Sequence, residues 1–249
     1  MNKLPKILFL IALCTYILTL FLKPDLPQQK DIHNSILTRE PSQEEIKADT
    51  ILKKFDDLTY ELTPLYTYEI QGLVVSEHDT KSLIDVSHKE DPWNTKDLCL
   101  VWGENIKNGA YRKVAYESGD FTCFFKWSKP IDPPFSFNHI ANNHVIPANK
   151  QVEETIKKIK IGDQIKLKGK LVNYKVQTKD QQVFTRSTST VRTDTGNGAC
   201  EILYVESIEI LRPSASVYYP LKTASFWLMA VIAGFTLIRP FLPFKTPSY

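Results

Sequence analysis

Two stretches without a charged residue, 7–22 (ILFLIALCTYILTLFL) and 223–238 (TASFWLMAVIAGFTLI), stand near the two ends of the chain. They constrain the fold most, because a helix that is apolar on every side has no aqueous face and must be covered by lipid or protein. Each is a little short of the ~20 residues that cross a hydrocarbon core. Leu4, Pro5, Tyr218, Tyr219, Phe241 and Leu242 extend them into the interface. The pattern predicts an N-terminal transmembrane anchor in 1–23 and a second span over 218–242, followed by a tail, 243–249. A signal peptide shares the basic start of Lys3 and Lys6, but no small-x-small cleavage pattern follows Leu22. Leu13 stands where a lipoprotein signal before Cys14 needs a small residue, so an uncleaved anchor is expected.

Charge bears on orientation. The basic residues Lys3, Lys6, Lys222, Arg239 and Lys245 lie outside residues 7–221 and every acidic residue lies within them, so the formal +3 comes from the tails and the middle is close to neutral. Basic tails favour a cytoplasmic location for both ends, although Lys23 and Lys30 reduce the asymmetry. The expectation is a two-pass protein of a bacterial inner membrane with a periplasmic central domain. A near-neutral domain argues against nucleic acid and other polyanions as partners. In an oxidising compartment Cys99 and Cys123 could pair and leave Cys200 as the odd thiol; three reduced, buried cysteines are the alternative.

After the anchor, residues 24–41 carry several prolines and few large apolar groups, which reads as a polar tether. Ser42-Gln43-Glu44-Glu45 matches a capping box, and Ile46, Ile51, Leu52, Phe55 and Leu58 form an approximate helical stripe, so 42–64 is expected to be a helical spacer. From 65 to 212 the apolar period shortens to two. Strands are predicted over 66–74, 98–102 and 121–127. A proline-rich loop follows, then a helix capped by Asn149 and closed by Gly162, and strands over 164–172 and 201–211. Three strands, a helix and two strands follow the order of an OB-fold. The expected fold class is mainly β with accessory helices: an OB-like five-stranded Greek-key barrel flanked by two transmembrane helices. Another small β-barrel or an α+β sandwich is the alternative.

The segments Asn142-Asn143-His144, Gly162 to Gly169 and Arg192 to Glu201 follow one another in the chain. In this the sequence resembles bacterial envelope proteins of unassigned function, which carry Asn-Asn-His, Gly-Asp-x-x-x-Leu-x-Gly and Arg-x-Asp-x-Gly-Asn-Gly-Ala-Cys-Glu in that order. The resemblance covers about 66–211 and implies no activity.

The densest chemistry lies in 186–201 (RSTSTVRTDTGNGACE), which fits no standard catalytic signature. Its Asp, Asn and Gly residues suit a hairpin turn. A nest of backbone N–H groups beside Arg186 and Arg192, with Asp194 and Asn197, could instead hold a carboxylate or phosphate, with Asn143 and His144 in the neighbouring loop. Cys200 with His144 or His139 would make a thiol nucleophile and its base. The scattered histidines do not provide a zinc ligand set, so neither metal nor cofactor is expected. Lys166, Lys168 and Lys170 with Trp102, Phe125 and Trp127 would suit single-stranded nucleic acid only in a cytosolic domain. The expected role is therefore a membrane-anchored periplasmic binding or assembly module. It would recognise another envelope protein, a peptide or a small anionic ligand through the loops 138–149 and 186–200. The alternatives are a Cys/His-dependent envelope hydrolase or transferase and a nucleic-acid-binding module.

Overall fold

The computed structural model describes residues 3–55, 57–80, 91–119, 121–178, 183–191, 193–194 and 199–238. Helix α1 (Lys3–Phe21) is followed by a short helix α2 (Asn34–Thr38) and strands β1 (Ser42–Glu45), β2 (Ile51–Phe55), β3 (Leu58–Asp79) and β4 (Lys96–Val101). A one-turn helix α3 (Glu104–Lys107) leads to strands β5 (Ala115–Gly119) and β6 (Thr122–Lys126). Strand β7 (Ile140–Pro147), helix α4 (Lys150–Lys158), strands β8 (Gln164–Gln177), β9 (Val183–Arg186) and β10 (Glu201–Arg212), and helix α5 (Tyr218–Ile238) complete the order.

The chain divides into two compact units, one made of its two ends and one spanning Leu26–Ser214. In the first unit, α1 and α5 are both long and apolar enough to cross a membrane. At 1.5 Å per residue the 19 residues of α1 span about 28 Å, close to the thickness of a hydrocarbon core. Tyr16 of α1 meets Phe226 of α5 with ring centres 6.2 Å apart, while most of the remaining apolar side chains stay exposed.

The second unit is mainly β-sheet, and β3 is its hub. This strand pairs antiparallel with β1, β2, β4 and β8. A 22-residue strand can serve that many neighbours because its register shifts twice, between Pro64 and Tyr66 against β8 and between Val74 and Ser76 against β4. Pro64, with no N–H to donate, stands at the first of these breaks. The pairings run β3–β4–β7–β10–β8 and return to β3, with β7 and β10 parallel and the other pairs antiparallel. Gly169 lets β8 and β10 approach, since a Cβ there would lie 1.9 Å from the Tyr204 carbonyl oxygen. Helix α4 connects β7 to β8 as its sequence predicts. Asn149 accepts from the Val152 N–H at 3.0 Å, Val152 and Ile156 are buried, and Gly162 adopts a φ of +92° beyond its end.

Three expectations are corrected. Residues 42–64 form no helix: β1 and β2 lie along β3, and Leu52, which a helical stripe would bury, is 71% exposed. The edges of β3 offer unpaired backbone groups, and satisfying them outweighs a local capping signal. The tether at 24–41 is largely packed against the domain. Ile32 and Ile36 are buried, and Gln164 accepts from the His33 N–H and donates to the Asp31 carbonyl. The 138–149 loop is mostly strand β7, inserted between β4 and β10, whereas residues 122–126 pair with β5 in a separate two-stranded sheet. Asn142, Asn143 and His144 interrupt the apolar alternation of β7, which hides a strand that is buried along nearly its whole length.

A candidate thiol–imidazole–carboxylate site

The site grows out of strand register. Asp97 on β4 is directly opposite His144 on β7. Their side chains meet with His144 Nδ1 2.6 Å from Asp97 Oδ1, at 7% and 0% side-chain exposure respectively. Asn94 Nδ2 also donates to Asp97 Oδ1, at 3.2 Å. On the other side of β7 the parallel strand β10 begins with Glu201 opposite Asn143, which sets Cys200 beside the same end of β7. Residues two apart on a strand share a face, so Asn142 and His144 both reach Cys200. His144 has its Nδ1 committed to Asp97, and Cys200 is near enough to the ring to contribute to its electrostatics. Asn142 Nδ2 lies 3.6 Å from Sγ, and Sγ lies 3.5 Å from the Phe121 carbonyl oxygen.

Burial alone would lower the His144 pKa. The Asp97 carboxylate, with a smaller contribution from Cys200, overcomes that and raises it to about 10. The raised pKa makes the imidazole a buried cation, with the Asp97 carboxylate at Nδ1 and Cys200 in its surroundings.

Phe121 closes the site from above. It has a φ of +58°, rare for a bulky residue and costing on the order of 1–3 kcal/mol, and such outliers concentrate at functional sites. Its ring centre is 5.8 Å from that of His144, and the Arg186 guanidinium lies over the ring at 3.5 Å. Beside Cys200 a cleft of about 380 Å³ opens between the β5–β6 hairpin, β7 and the segment before β10. Phe124, Phe125, Phe137, Asn142, Asp194 and Cys200 line it. Cys123 also reaches the cleft and is joined to Cys99 of β4 in a disulfide, which ties the hairpin to the main sheet.

The remaining predicted site residues are distributed differently. His139 bonds Ser136 Oγ at 2.8 Å and Glu40 Oε1 at 3.2 Å, so of the two histidines it is His144 that joins the cysteine. Asn143 is fully buried with its amide directed to the Leu98 and Ala141 carbonyls, which removes it from the cleft. Asp194 lines the cleft and accepts from Ser189 Oγ at 2.6 Å. Arg192 and Asn197 lie outside the described residues, and with them most of the anticipated anion nest. Among the described residues no cluster of His, Cys, Asp and Glu could hold a metal ion. Sequence inspection missed Asp97, Asn142 and Phe121. Asp97 did leave a signal, as an acid at the head of the otherwise apolar run Leu98-Cys99-Leu100-Val101.

A second polar cluster lies nearby. Asp91, 1% exposed, accepts from the Tyr60 hydroxyl at 3.0 Å and from the Tyr174 hydroxyl, and Arg186 Nε stands 3.9 Å away. Burial, then the Asp91 charge, raises the pKa of both tyrosines, which therefore act as donors.

Comparison with protein-family models, curated proteins and solved structures finds no match.

Proposed function

We propose that this protein performs thiol-dependent covalent chemistry at Cys200, with His144 as its proton carrier and Asp97 orienting the imidazole. One observation carries the reading: strand register sets His144, gripped by Asp97 at 2.6 Å, and Asn142, 3.6 Å from the Cys200 sulfur, on one face of β7 at the edge of a cleft. A nucleophile, a base and a group that orients the base are the recurrent requirements of such sites. This proposal puts catalysis ahead of binding, whereas the sequence reading puts binding first.

The domain is proposed to be an OB-like five-stranded barrel. The circuit β3–β4–β7–β10–β8–β3, the parallel β7–β10 pair and the helix between β7 and β8 support it. We place the chain as a two-pass protein of a bacterial inner membrane with this domain in the periplasm. The two apolar helices, their basic flanks and the disulfide support that placement. A binding role towards another envelope protein or a peptide is the second reading, favoured by Phe124, Trp127 and Phe137, which are 59%, 41% and 52% exposed around the cleft.

Iodoacetamide labelling of the full chain tests the proposal. Cys200 should be alkylated faster than a cysteine-containing peptide at neutral pH, and His144→Ala should remove the advantage; equal rates in the protein and the peptide would end the thiol reading. A reporter fused after Arg212 should be active in the periplasm, and activity only in the cytoplasm would reverse the topology.

A further inference from the structure

Building on the thiol reading, we infer that the cleft accepts a carbonyl compound with an apolar acyl chain: Asn142 Nδ2 donates to the oxygen of the tetrahedral intermediate, and Phe124, Phe125 and Phe137 hold the chain. The placement of Asn142 is the main argument. It stands on β7 two residues before His144, is 6% exposed, lines the cleft, and holds Nδ2 3.6 Å from the nucleophilic sulfur. At that distance the contact is weak, and the second amide hydrogen leaves further donor capacity for a carbonyl oxygen. Asn142 Oδ1 is buried with no hydrogen-bond partner among the described residues. That atom is an acceptor and would pair with a donor on the ligand; Nδ2 alone serves the oxygen. An amide donor fixed beside a nucleophile, in a site that strand pairing makes rigid, is the element that stabilises charge appearing on a carbonyl oxygen.

The aromatic wall identifies the rest of the substrate. Phe125 packs with Phe135, Phe137 and Trp127 at centroid distances of 5.6 to 6.5 Å, and Phe124, Trp127 and Phe137 keep large exposed faces. This surface is continuous with the cleft that reaches Cys200. The carboxylate of Asp194 at the cleft disfavours an anionic group there and leaves an uncharged chain as the matching occupant.

With an ester, the sulfur of Cys200 attacks the carbonyl carbon as a thiolate beside the His144 imidazolium. A C–S bond forms, and the carbonyl electron pair moves to the oxygen facing Asn142. Collapse re-forms the carbonyl, breaks the bond to the leaving oxygen and passes a proton from His144 to the departing alcohol, leaving the imidazole neutral. Water or an acceptor alcohol or amine then attacks the thioester and gives its proton to His144, and cleavage of the C–S bond restores the thiolate and the imidazolium.

The test uses the full chain in detergent, with p-nitrophenyl acetate and p-nitrophenyl decanoate as probes and Cys200→Ala as background. Decanoate should acylate Cys200 at least about tenfold faster than acetate, and Phe137→Ser should abolish the difference. Asn142→Ala, and Asn142→Asp as the isosteric variant, should slow acylation by both esters about 10²-fold. The iodoacetamide rate of Asn142→Ala, a reaction with no oxyanion, should fall far less than its acylation rate. If Cys200 resists iodoacetamide in the parent protein, the thiol reading fails and this inference with it. If Cys200 is alkylated but not acylated, is acylated equally in the Asn142 variants, or shows no chain-length preference, the acyl inference alone is overturned.

Discussion

Asp91 and Asp97 are buried carboxylates six positions apart in the chain, yet they anchor clusters of opposite character. Asp91 is met by two tyrosine hydroxyls that end in the core, with Trp93 packed edge-on against Tyr60, so among the described residues these partners lead into the core. Asp97 is met by a histidine beside Cys200 at a cleft. A tyrosine hydroxyl has one proton to give, and here Asp91 takes it while the Tyr60 oxygen accepts from the Trp93 N–H at 3.4 Å, whereas an imidazole has two nitrogens and can relay. Buried charge therefore does not mark a site by itself; the group that bonds it and the accessibility of the next atom do. Arg186 touches both clusters, standing 3.9 Å from Asp91 and stacking on the Phe121 ring that covers His144.

The comparison predicts different failures. The largest effect should follow Asp91→Ala, which strands two buried tyrosine hydroxyls. Each hydrogen bond to a charged group contributes about 1.5–3 kcal/mol, so a stability loss of about 3–5 kcal/mol is expected in urea unfolding. The iodoacetamide rate of the folded protein should stay within about twofold, and a large change would show that the two clusters are one network. His144→Ala should do the reverse, lowering the Cys200 alkylation rate at neutral pH by at least about tenfold, because the imidazolium that favours the thiolate is lost. A stability loss with no rate change would assign His144 to structure alone.

The pH dependence is next. The folded pKa of His144 is raised to about 10 from an ordinary value near 6.5. The stability this provides is fully present below about pH 6.5 and is lost as pH rises through about 10, with a slope of at most about 1.4 kcal/mol per pH unit. Urea midpoints measured between pH 6 and 10 should decline more steeply for the parent protein than for His144→Gln, and parallel curves would contradict the buried imidazolium. The smallest effect is expected for Arg186→Met. Its ion pair is long and partly exposed, and the stacking contributes about 0.5–1 kcal/mol, so less than about 1 kcal/mol of stability and less than a threefold change in alkylation should follow. A larger response would make Arg186 the link between the clusters.

Legibility in the sequence followed the range of the interactions. The apolar terminal helices, α4 with its Asn149 cap, and the alternation along β8 depend on neighbours within a few residues, and each was readable. Segments 42–64 and 138–149 were not. The first takes its conformation from the edges of β3, and the second is a central strand whose Asn-Asn-His disrupts the period that identifies strands. Cys200 and His144 were visible as candidates, but so was His139, and no spacing rule separates the two histidines.

By itself the sequence determined that the chain has two apolar ends around a near-neutral, β-rich middle, because hydropathy and charge are sums over residues and need no coordinates. Tertiary structure decided which histidine meets the cysteine, that Asp97 stands behind it, and that Asn142 rather than Asn143 faces the sulfur. Those outcomes depend on the parallel register of β10 against β7 and the antiparallel register of β4 against β7. A shift of one residue in either would turn each side chain to the other face of the sheet.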